Sequence, residues 1–261
     1  QFEAGPSCTE ALAWLGADVV KVEQPERGER GRFASTDKPG VDAHYFLLMN
    51  ANKRSLTCDL KSKQGKEILR RLIAAADVMV ENMAPGVIER LGFGYDVVRQ
   101  INPRIIFAQI KGFPPDGSHA DYLCFDMIAQ SVGGALSLTG ATGEPPLRSG
   151  PNLGDTGAGI HCATGILAAL CQRHRTGRGQ RIDVAMQESV INFCRTAFAR
   201  FLSSGKPPER SGNRSLYQCK GGGPNDYCFI YTSGASDEQW QRLLRAIGRQ
   251  ELIDDPSFAG A

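Results

Sequence analysis

Apolar residues in this sequence occur both as short runs rich in valine and isoleucine and as longer segments with helical spacing. Between positions 63 and 76 apolar side chains recur every three or four residues, which predicts a helix. Runs such as 17–23 are typical of buried strands. The pattern predicts strands at 17–23, 55–60, 77–81, 104–110, 181–185 and 227–232, and helices at 8–16, 63–76, 85–91, 125–138, 157–175, 188–202 and 238–247.

The order of these elements predicts an α/β fold. Strands that alternate with helices at this spacing form a parallel sheet flanked by helices, as in a Rossmann-like domain. The polar segment at 24–42 is too long for a tight connection, and loops of that length are usually functional or mobile.

Composition divides the chain into a large domain at 1–203, a linker at 204–224 and the start of a smaller α/β domain at 225–261. One strand and one helix cannot close a core, so we expect the smaller domain to be incomplete. The chain opens without methionine in a turn-like segment at 2–7, so we also expect a first strand to be missing.

Charge and cysteine content narrow the range of functions. The 30 basic and 28 acidic residues give a net charge of +2, which disfavours nucleic acid or an anionic membrane as the main partner. No signal peptide and no long apolar run is found, so we expect a cytoplasmic protein. The cysteines are scattered without zinc-ligand spacing, and we expect free, mostly buried thiols and no metal site. They are Cys8, Cys58, Cys124, Cys162, Cys171, Cys194, Cys219 and Cys228.

Asp155 is the acidic residue whose surroundings best fit covalent chemistry. It lies between Gly154 and Gly157, at the junction of a predicted loop and helix. It can be an N-cap that accepts hydrogen bonds from the first-turn amides. It can equally be a nucleophile, because small neighbours leave room for a bulky thioester and free amides there would stabilise an oxyanion. The residues alone leave both interpretations open.

Two other polar features favour structural roles. His161 follows Asp155 by six residues, which does not put the two on one helical face, so we expect a packed or capping histidine. The basic segment at 173–181 suggests either a phosphate patch or a helix-to-strand turn, and Gly177 and Gly179 favour the turn. Neither the GxxxxGK[ST] nor the GxGxxG nucleotide motif is found at the required place.

Six segments carry a family resemblance when taken in order. They are GPSCTEALAWLGADVVKVE (5–23), NANKRSLTCDLKSKQGKE (50–67), DVMVENMAPGVIERLGFGY (77–95), INPRIIFAQIKGF (101–113), GDTGAGIH (154–161) and TGRGQRIDVAMQESV (176–190). Over roughly residues 1–202 the chain resembles the class III CoA-transferases of the CaiB/BaiF family, most closely the formyl-CoA:oxalate subgroup. The segment at 219–232 resembles that subgroup's small domain.

The resemblance implies an enzyme that forms an interlocked homodimer and moves CoA from an acyl-CoA to a small carboxylic acid. CoA is then a substrate, and no cofactor is tightly bound. Asp155 falls at the family's nucleophile, which forms an acyl-aspartyl anhydride and then an aspartyl-CoA thioester. An attacking Asp155 must be ionised, so we expect a site that is not deeply apolar.

The resemblance also implies the residues that contact CoA. Lys61 and Arg90 are suited to the CoA phosphates, although each also fits a solvated cation on a helix face. The full set is Glu3, Ala4, Cys58, Asp59, Leu60, Lys61, Asn82, Met83, Ala84, Arg90, Phe125 and Asp126.

Several positions depart from the formyl-CoA subgroup. Glu3 stands where the subgroup has glutamine, and Gln24 where it has arginine. Leu123 and Phe125 replace its lysine and tyrosine, and Asp126 replaces its glutamate. The stretch at 210–215 replaces its glycine-rich loop. A carboxylate at Glu3 disfavours a second negative charge in the acid, so formyl and oxalate specificity does not follow from the resemblance.

Two alternatives accompany the transferase hypothesis. An α-methylacyl-CoA racemase shares the fold and the aspartate but needs a second acid/base, a histidine just before the Asp126 position. Phe125 stands there, and its side chain cannot carry a proton. The other alternative is a CoA-binding fragment without catalytic activity.

Overall fold

A computed structural model describes residues 1–34, 38–212, 214–232 and 237–258. The chain forms two compact units. The first comprises 1–139 and 146–209, and the second comprises 140–145 and 210–261. The domain limits drawn from composition remain predictions, although a short strand occurs inside the segment assigned to a linker.

Parallel strands form the centre of the first unit. Strands β1 (Val19–Glu23) and β2 (Lys53–Thr57) pair with each other. A separate sheet has the order β3 (Val78–Glu81), β4 (Ile106–Lys111) and β5 (Gln180–Ala185), again all parallel. These sheets and the helices beside them confirm the predicted α/β fold class.

The first unit contains ten α-helices among its described residues. They are α1 (Ala4–Trp14), α2 (His44–Met49), α3 (Lys63–Ala75), α4 (Val87–Arg90), α5 (Tyr95–Ile101), α6 (Asp126–Val132), α7 (Ala135–Leu138), α8 (Leu153–Thr176), α9 (Met186–Phe193) and α10 (Arg195–Ser204). A 3₁₀ turn covers Arg30–Phe33. None of the helices in the described part of the chain is both long and apolar enough to cross a membrane.

Strand β4 divides the core of the first unit in two. Because side chains alternate along a strand, Ile106, Ala108 and Ile110 share one face, where they pack in the cluster that includes α1 and α8. Phe107 points to the other face and packs with residues of α3, α4 and α5. This central strand places α1 and α8 on the same side of the sheet.

Helices α1 and α8 approach each other closely at Gly159. A Cβ atom at this glycine would lie 2.7 Å from Ser7 Cβ and 2.9 Å from the Ala4 carbonyl oxygen. The absence of a side chain therefore brings the first turns of α1 beside the beginning of α8.

Several predicted boundaries are wrong. The predicted helix at 125–138 is two helices, because Gly134 adopts a left-handed φ of 93° between α6 and α7. The predicted helix at 188–202 is divided at Cys194 into α9 and α10. Helix α1 begins at Ala4, inside the segment that was expected to be a turn, and α2 follows the long polar segment without having been predicted.

The second unit contains the antiparallel strands β6 (Leu216–Gln218) and β7 (Tyr227–Phe229) and the helix α11 (Asp237–Ala246). Short 3₁₀ turns follow at Gln250–Leu252 and Pro256–Phe258. Strand β6 lies within 204–224, where a linker was predicted.

Candidate active site

Asp155 lies in the first turn of α8, as its third residue. The helix begins at Leu153 and its N-cap is Asn152, so the interpretation of Asp155 as an N-cap is wrong. The predicted start of this helix at 157 was four residues late, since the glycines at 154 and 157 weaken the helical signal without preventing the helix.

Asp126, the first residue of α6, caps α8 from outside. Its Oδ1 accepts hydrogen bonds from the amides of Gly154 at 2.8 Å and Asp155 at 3.3 Å, and its Oδ2 accepts one from Gln130 at 2.7 Å. Thr156 donates its amide to the Asn152 carbonyl. The expectation of free first-turn amides for an oxyanion is therefore wrong, because Asp126 already occupies those of Gly154 and Asp155.

The carboxylate of Asp155 has no hydrogen bond or ion pair with any residue in the described part of the chain. Burial, followed by the negative charges of Glu3 and Asp126, raises the pKa of Asp155 from 3.8 to about 7. The side chain is half-buried, and the N-terminal ammonium of Gln1 lowers its pKa by less than either acid raises it. Asp155 thus has a carboxyl group whose pKa lies near neutral pH and whose oxygens accept no hydrogen bond from a described residue.

Glu3 is fixed beside this turn by three hydrogen bonds. Its Oε1 accepts one from Thr156 Oγ1 at 2.7 Å, and its Oε2 accepts from Asn152 Nδ2 at 2.7 Å and from Tyr45 Oη at 3.2 Å. Burial and the nearby Glu3 charge raise the pKa of Tyr45. Sequence reasoning missed Tyr45, Asn152 and Thr156, and only Thr156, next to the predicted nucleophile, carried a signal.

The predicted residues after β3 lie at the carboxyl end of the sheet. Gly5 approaches Asn82 so closely that a Cβ atom there would lie 2.6 Å from Asn82 Oδ1. The Met83 amide donates to the buried Glu81 carboxylate at 2.8 Å, and the Lys111 ammonium donates to the Met83 carbonyl at 2.8 Å.

These contacts fix the backbone of this loop next to the start of α1. Ala84 and Arg90 are exposed, and Arg90 has no ion pair with a described residue. Ala4 itself is buried against α8, which leaves little of its side chain for a ligand to touch.

The predicted residues after β2 form a tight turn. Cys58 is buried, burial raises the pKa of its thiol, and the thiol donates to the Gly65 carbonyl. Asp59 and Lys61 are exposed, and Leu60 packs in the cluster around Phe107. Of this set, the exposed Lys61 ammonium is available to a ligand, whereas the Cys58 thiol is buried and bonded within the turn.

Phe125 and His161 occupy different environments. Phe125 is the N-cap of α6 and is 69% exposed. His161 Nδ1 lies 2.7 Å from the Gly157 carbonyl oxygen, and its ring packs against Phe193 at 5.5 Å, which confirms the expected packed histidine. Gly177 ends α8 with a left-handed φ of 70°, which confirms the predicted helix-to-strand turn.

Other candidate features do not coincide with the acidic group. A cavity of about 160 Å³ opens beside β4 and β5, and Lys111, Asp183 and Glu188 are among its lining residues, but Asp155 is not. Within the described ranges, no three His, Cys, Asp or Glu side chains are arranged to hold a metal ion. All eight cysteines are free, and half of them are buried.

Curated relatives resemble nearly the whole chain. The chain is 47% identical over 277 residues to a formyl-CoA:oxalate CoA-transferase of Streptomyces avermitilis, which covers 98% of this chain and 66% of the relative. It is 38% identical over 283 residues to the enzyme of that name from Escherichia coli, with 99% and 68% covered. The chain thus spans about two thirds of the length of the curated relatives it matches.

Solved structures and a family model agree with these relatives. A CaiB/BaiF family protein from Brucella suis superposes with a TM-score of 0.86 at 34% identity, covering 99% of this chain and 70% of that protein. A hypothetical protein from Mycobacterium tuberculosis gives 0.84 at 31% identity, covering 99% and 69%. The model of CoA-transferase family III matches residues 1–261. This chain belongs to CoA-transferase family III.

Proposed function

We propose that the chain is a CoA-transferase that moves CoA from an acyl-CoA to a small carboxylic acid through a covalent intermediate on Asp155. The observation that carries this proposal is that two acids at the start of α8 have different partners. Asp126 accepts hydrogen bonds from the first-turn amides, and the Asp155 carboxylate has no partner among the residues that the structure describes. An unoccupied carboxylate with small neighbours is accessible to an incoming thioester.

The reaction proceeds by exchange between thioesters and anhydrides. Asp155 attacks the acyl-CoA carbonyl, the carbon–sulfur bond breaks, and an acyl-aspartyl anhydride and a CoA thiolate form. The thiolate attacks the aspartyl carbonyl, which releases the donor acid and leaves an aspartyl-CoA thioester. The acceptor carboxylate attacks that thioester to form a second anhydride, and the returning thiolate takes the new acyl group from it. Each step exchanges one bond for another, and no external oxidant or base is consumed.

The binding of CoA follows from the positions of the remaining predicted residues. We assign the loop of Asn82, Met83 and Ala84 to the thiol-bearing arm, because this loop is fixed next to the start of α1. Lys61 and Arg90 are exposed cations, suited to the phosphates. CoA is a substrate in this proposal, and a second copy of the chain completes an interlocked homodimer.

The racemase alternative finds less support. Phe125 is an exposed N-cap at the place where a proton-carrying histidine would be needed. A racemase would exchange the α-hydrogen of a 2-methylacyl-CoA with deuterium in heavy water, whereas a transferase would not. The curated relatives are named for formyl-CoA and oxalate, so these are the first donor and acceptor to test.

The covalent step can be tested by trapping the intermediate. The protein is incubated with a panel of acyl-CoAs, treated with hydroxylamine and digested for peptide mass spectrometry. We expect a hydroxamate on the peptide that contains Asp155. We expect Asp155→Asn to lose at least about 1000-fold in exchange rate while it binds CoA in calorimetry as wild type does. The variant should fold, because Asp126 rather than Asp155 caps α8.

Asp116→Asn is the matched control, since Asp116 is exposed in a loop and has no partner among the described residues. It should exchange CoA at the wild-type rate. A label on another residue, or an Asp155→Asn protein with wild-type exchange, would refute the assignment of the nucleophile.

A further inference from the structure

Three side-chain donors fix the carboxyl group of Glu3 beside the first turn of α8. Glu3 is 5% exposed, and Thr156, Asn152 and Tyr45 all donate to its two oxygens. An ionised carboxyl is a pure acceptor and matches three donors, whereas a protonated one adds an O–H donor that needs an acceptor of its own. Burial is therefore compensated by donors that favour the negative charge.

This fixed charge adds to two others at the start of α8. Thr156, which binds Glu3, is the neighbour of Asp155, and Asp126 binds the amides of Gly154 and Asp155. Across the described ranges, no lysine or arginine forms an ion pair with any of these three carboxyl groups. The acids also act on one another, since Glu3 and Asp126 both raise the pKa of Asp155. The N-terminal ammonium of Gln1 lowers the pKa of Asp155, but its effect is smaller than that of either acid, so negative charge predominates around the candidate nucleophile.

The charge of the acceptor acid changes during the reaction. The carboxylate that attacks the aspartyl-CoA thioester becomes part of a neutral anhydride, so a monocarboxylate loses its charge at the site. A dicarboxylate keeps its second charge throughout, beside Glu3. At separations of a few ångström such like charges repel substantially in a partly buried site.

We propose that Glu3 makes this site selective for monocarboxylic acids, so that a dicarboxylate such as oxalate is a poor acceptor. This inference rests on the proposed transferase function and specifies its acceptor. It distinguishes this chain from the relatives whose names include oxalate, and it rests on one side chain that the structure fixes at the start of α1.

Isosteric pairs of acceptors isolate the effect of charge. Oxamate and succinamate replace one carboxylate of oxalate and succinate by a neutral amide of the same shape. With the acyl-CoA that labels Asp155 fastest, the wild type should give a kcat/KM at least about tenfold higher for each amide than for its dicarboxylate. Glu3→Gln should reduce that ratio by about tenfold or more.

Glu10→Gln provides the matched control, because Glu10 lies on the same helix and has no hydrogen bond or ion pair with a described residue. It should keep the wild-type ratio. Equal wild-type rates for amide and dicarboxylate overturn the proposal, and so does an unchanged ratio in folded Glu3→Gln.

If Glu3→Gln fails to fold, as judged by circular dichroism, the salt dependence of the wild-type amide preference tests the proposal instead. Raising KCl from about 20 to about 500 mM should narrow the amide preference, because salt screens charge repulsion. A preference that does not respond to salt overturns the proposal. If no acid accepts CoA and Asp155 stays unlabelled, the transferase function fails and the selectivity fails with it. If CoA exchange occurs but each amide and its dicarboxylate react at equal rates, only the proposed selectivity is refuted.

Discussion

Asp126, Glu3 and Asp155 are three acids with different partners around one helical turn. Asp126 binds backbone amides, Glu3 binds three side-chain donors, and Asp155 binds neither kind of group among the described residues. Hydrogen bonds stabilise the charged form of an acid, and like charges oppose it. Asp155 has no such hydrogen bond, so burial and the charges of Glu3 and Asp126 outweigh the smaller effect of the N-terminal ammonium and raise its pKa to about 7.

The pH dependence of anhydride formation should report this ionisation. In the proposed reaction only the ionised Asp155 attacks, so the single-turnover rate of labelling by an acyl-CoA should rise about tenfold per pH unit below pH 7 and level off above it. Glu3→Gln removes a like charge, lowers the pKa of Asp155 and should shift the midpoint to lower pH. Quenched-flow labelling from pH 5 to 9 measures both profiles. A midpoint near pH 4 in the wild type would contradict the environment described for Asp155.

At the residue scale, the sequence predicted which acid is the candidate nucleophile but not its environment. The resemblance selected Asp155, Glu3 and Asp126 as members of one site, and the structure brings all three together. The cap supplied by Asp126 could not be predicted, because it joins residues 28 positions apart in sequence through a side chain on another helix. Tyr45 was missed for the same reason, since 42 positions separate it from Glu3.

At the scale of elements, the contact between α1 and α8 determines the position of Glu3. Because Gly159 has no side chain, the backbone of α8 packs directly against that of α1. Glu3 lies at the start of α1. A displacement of α1 would therefore change both the stability of the first unit and the distance between Glu3 and Asp155.

Gly159→Ala tests this close contact. The added methyl would lie 2.7 Å from Ser7 Cβ and 2.9 Å from the Cys8 amide nitrogen, so the helices must separate. We expect the free energy of unfolding in urea to fall by about 1–3 kcal/mol. The midpoint of the pH profile for Asp155 should fall as well, because Glu3 moves away.

Gly165→Ala on the same helix is the control. Its new methyl would meet only Ile182 side-chain atoms, the nearest at 3.3 Å, and alanine favours the helix, so stability should change by less than about 1 kcal/mol. Equal effects of the two substitutions would show that the approach of α1 does not limit stability.

The sequence predicted the elements with strong periodicity and failed at their ends. The five strands found among the described residues of the first unit were all predicted within a few residues, because β-branched runs are a local signal. The interruptions at Gly134 and Cys194 were missed, since packing of short helices against neighbours overrides the apolar pattern along the chain. Helix α1 was started four residues late because glycine, proline and serine at 5–7 resemble a turn until tertiary contacts bury them.

At the scale of the whole molecule, the two units differ in how much apolar surface they bury. Both hydrophobic clusters lie in the first unit. Among the described residues of the second unit, Leu244 is the only large apolar side chain that is buried, and every residue of β6 and β7 is exposed. Local stability follows buried apolar contact, so the units should open with different free energies.

Hydrogen exchange measured by mass spectrometry should show this difference. We expect amides of β4 and α8 to exchange at least about 100-fold more slowly than those of β6, β7 and α11. Peptides from the exposed helix α10, which has no buried residue, serve as an internal reference within the first unit. Equal protection in both units would show that the second is stabilised by more than the contacts within it.

The capping of α8 by a residue of another helix has a consequence for the evolution of this fold. Where one acid both ends a helix and performs chemistry, a mutation that stops the chemistry also damages the fold, and selection removes it quickly. In the proposed reaction the two tasks belong to Asp126 and Asp155, which lie on different helices. A descendant in which a neutral residue replaced Asp155 would therefore keep its fold while losing turnover. A single substitution could thus produce a folded protein that binds CoA without transferring it.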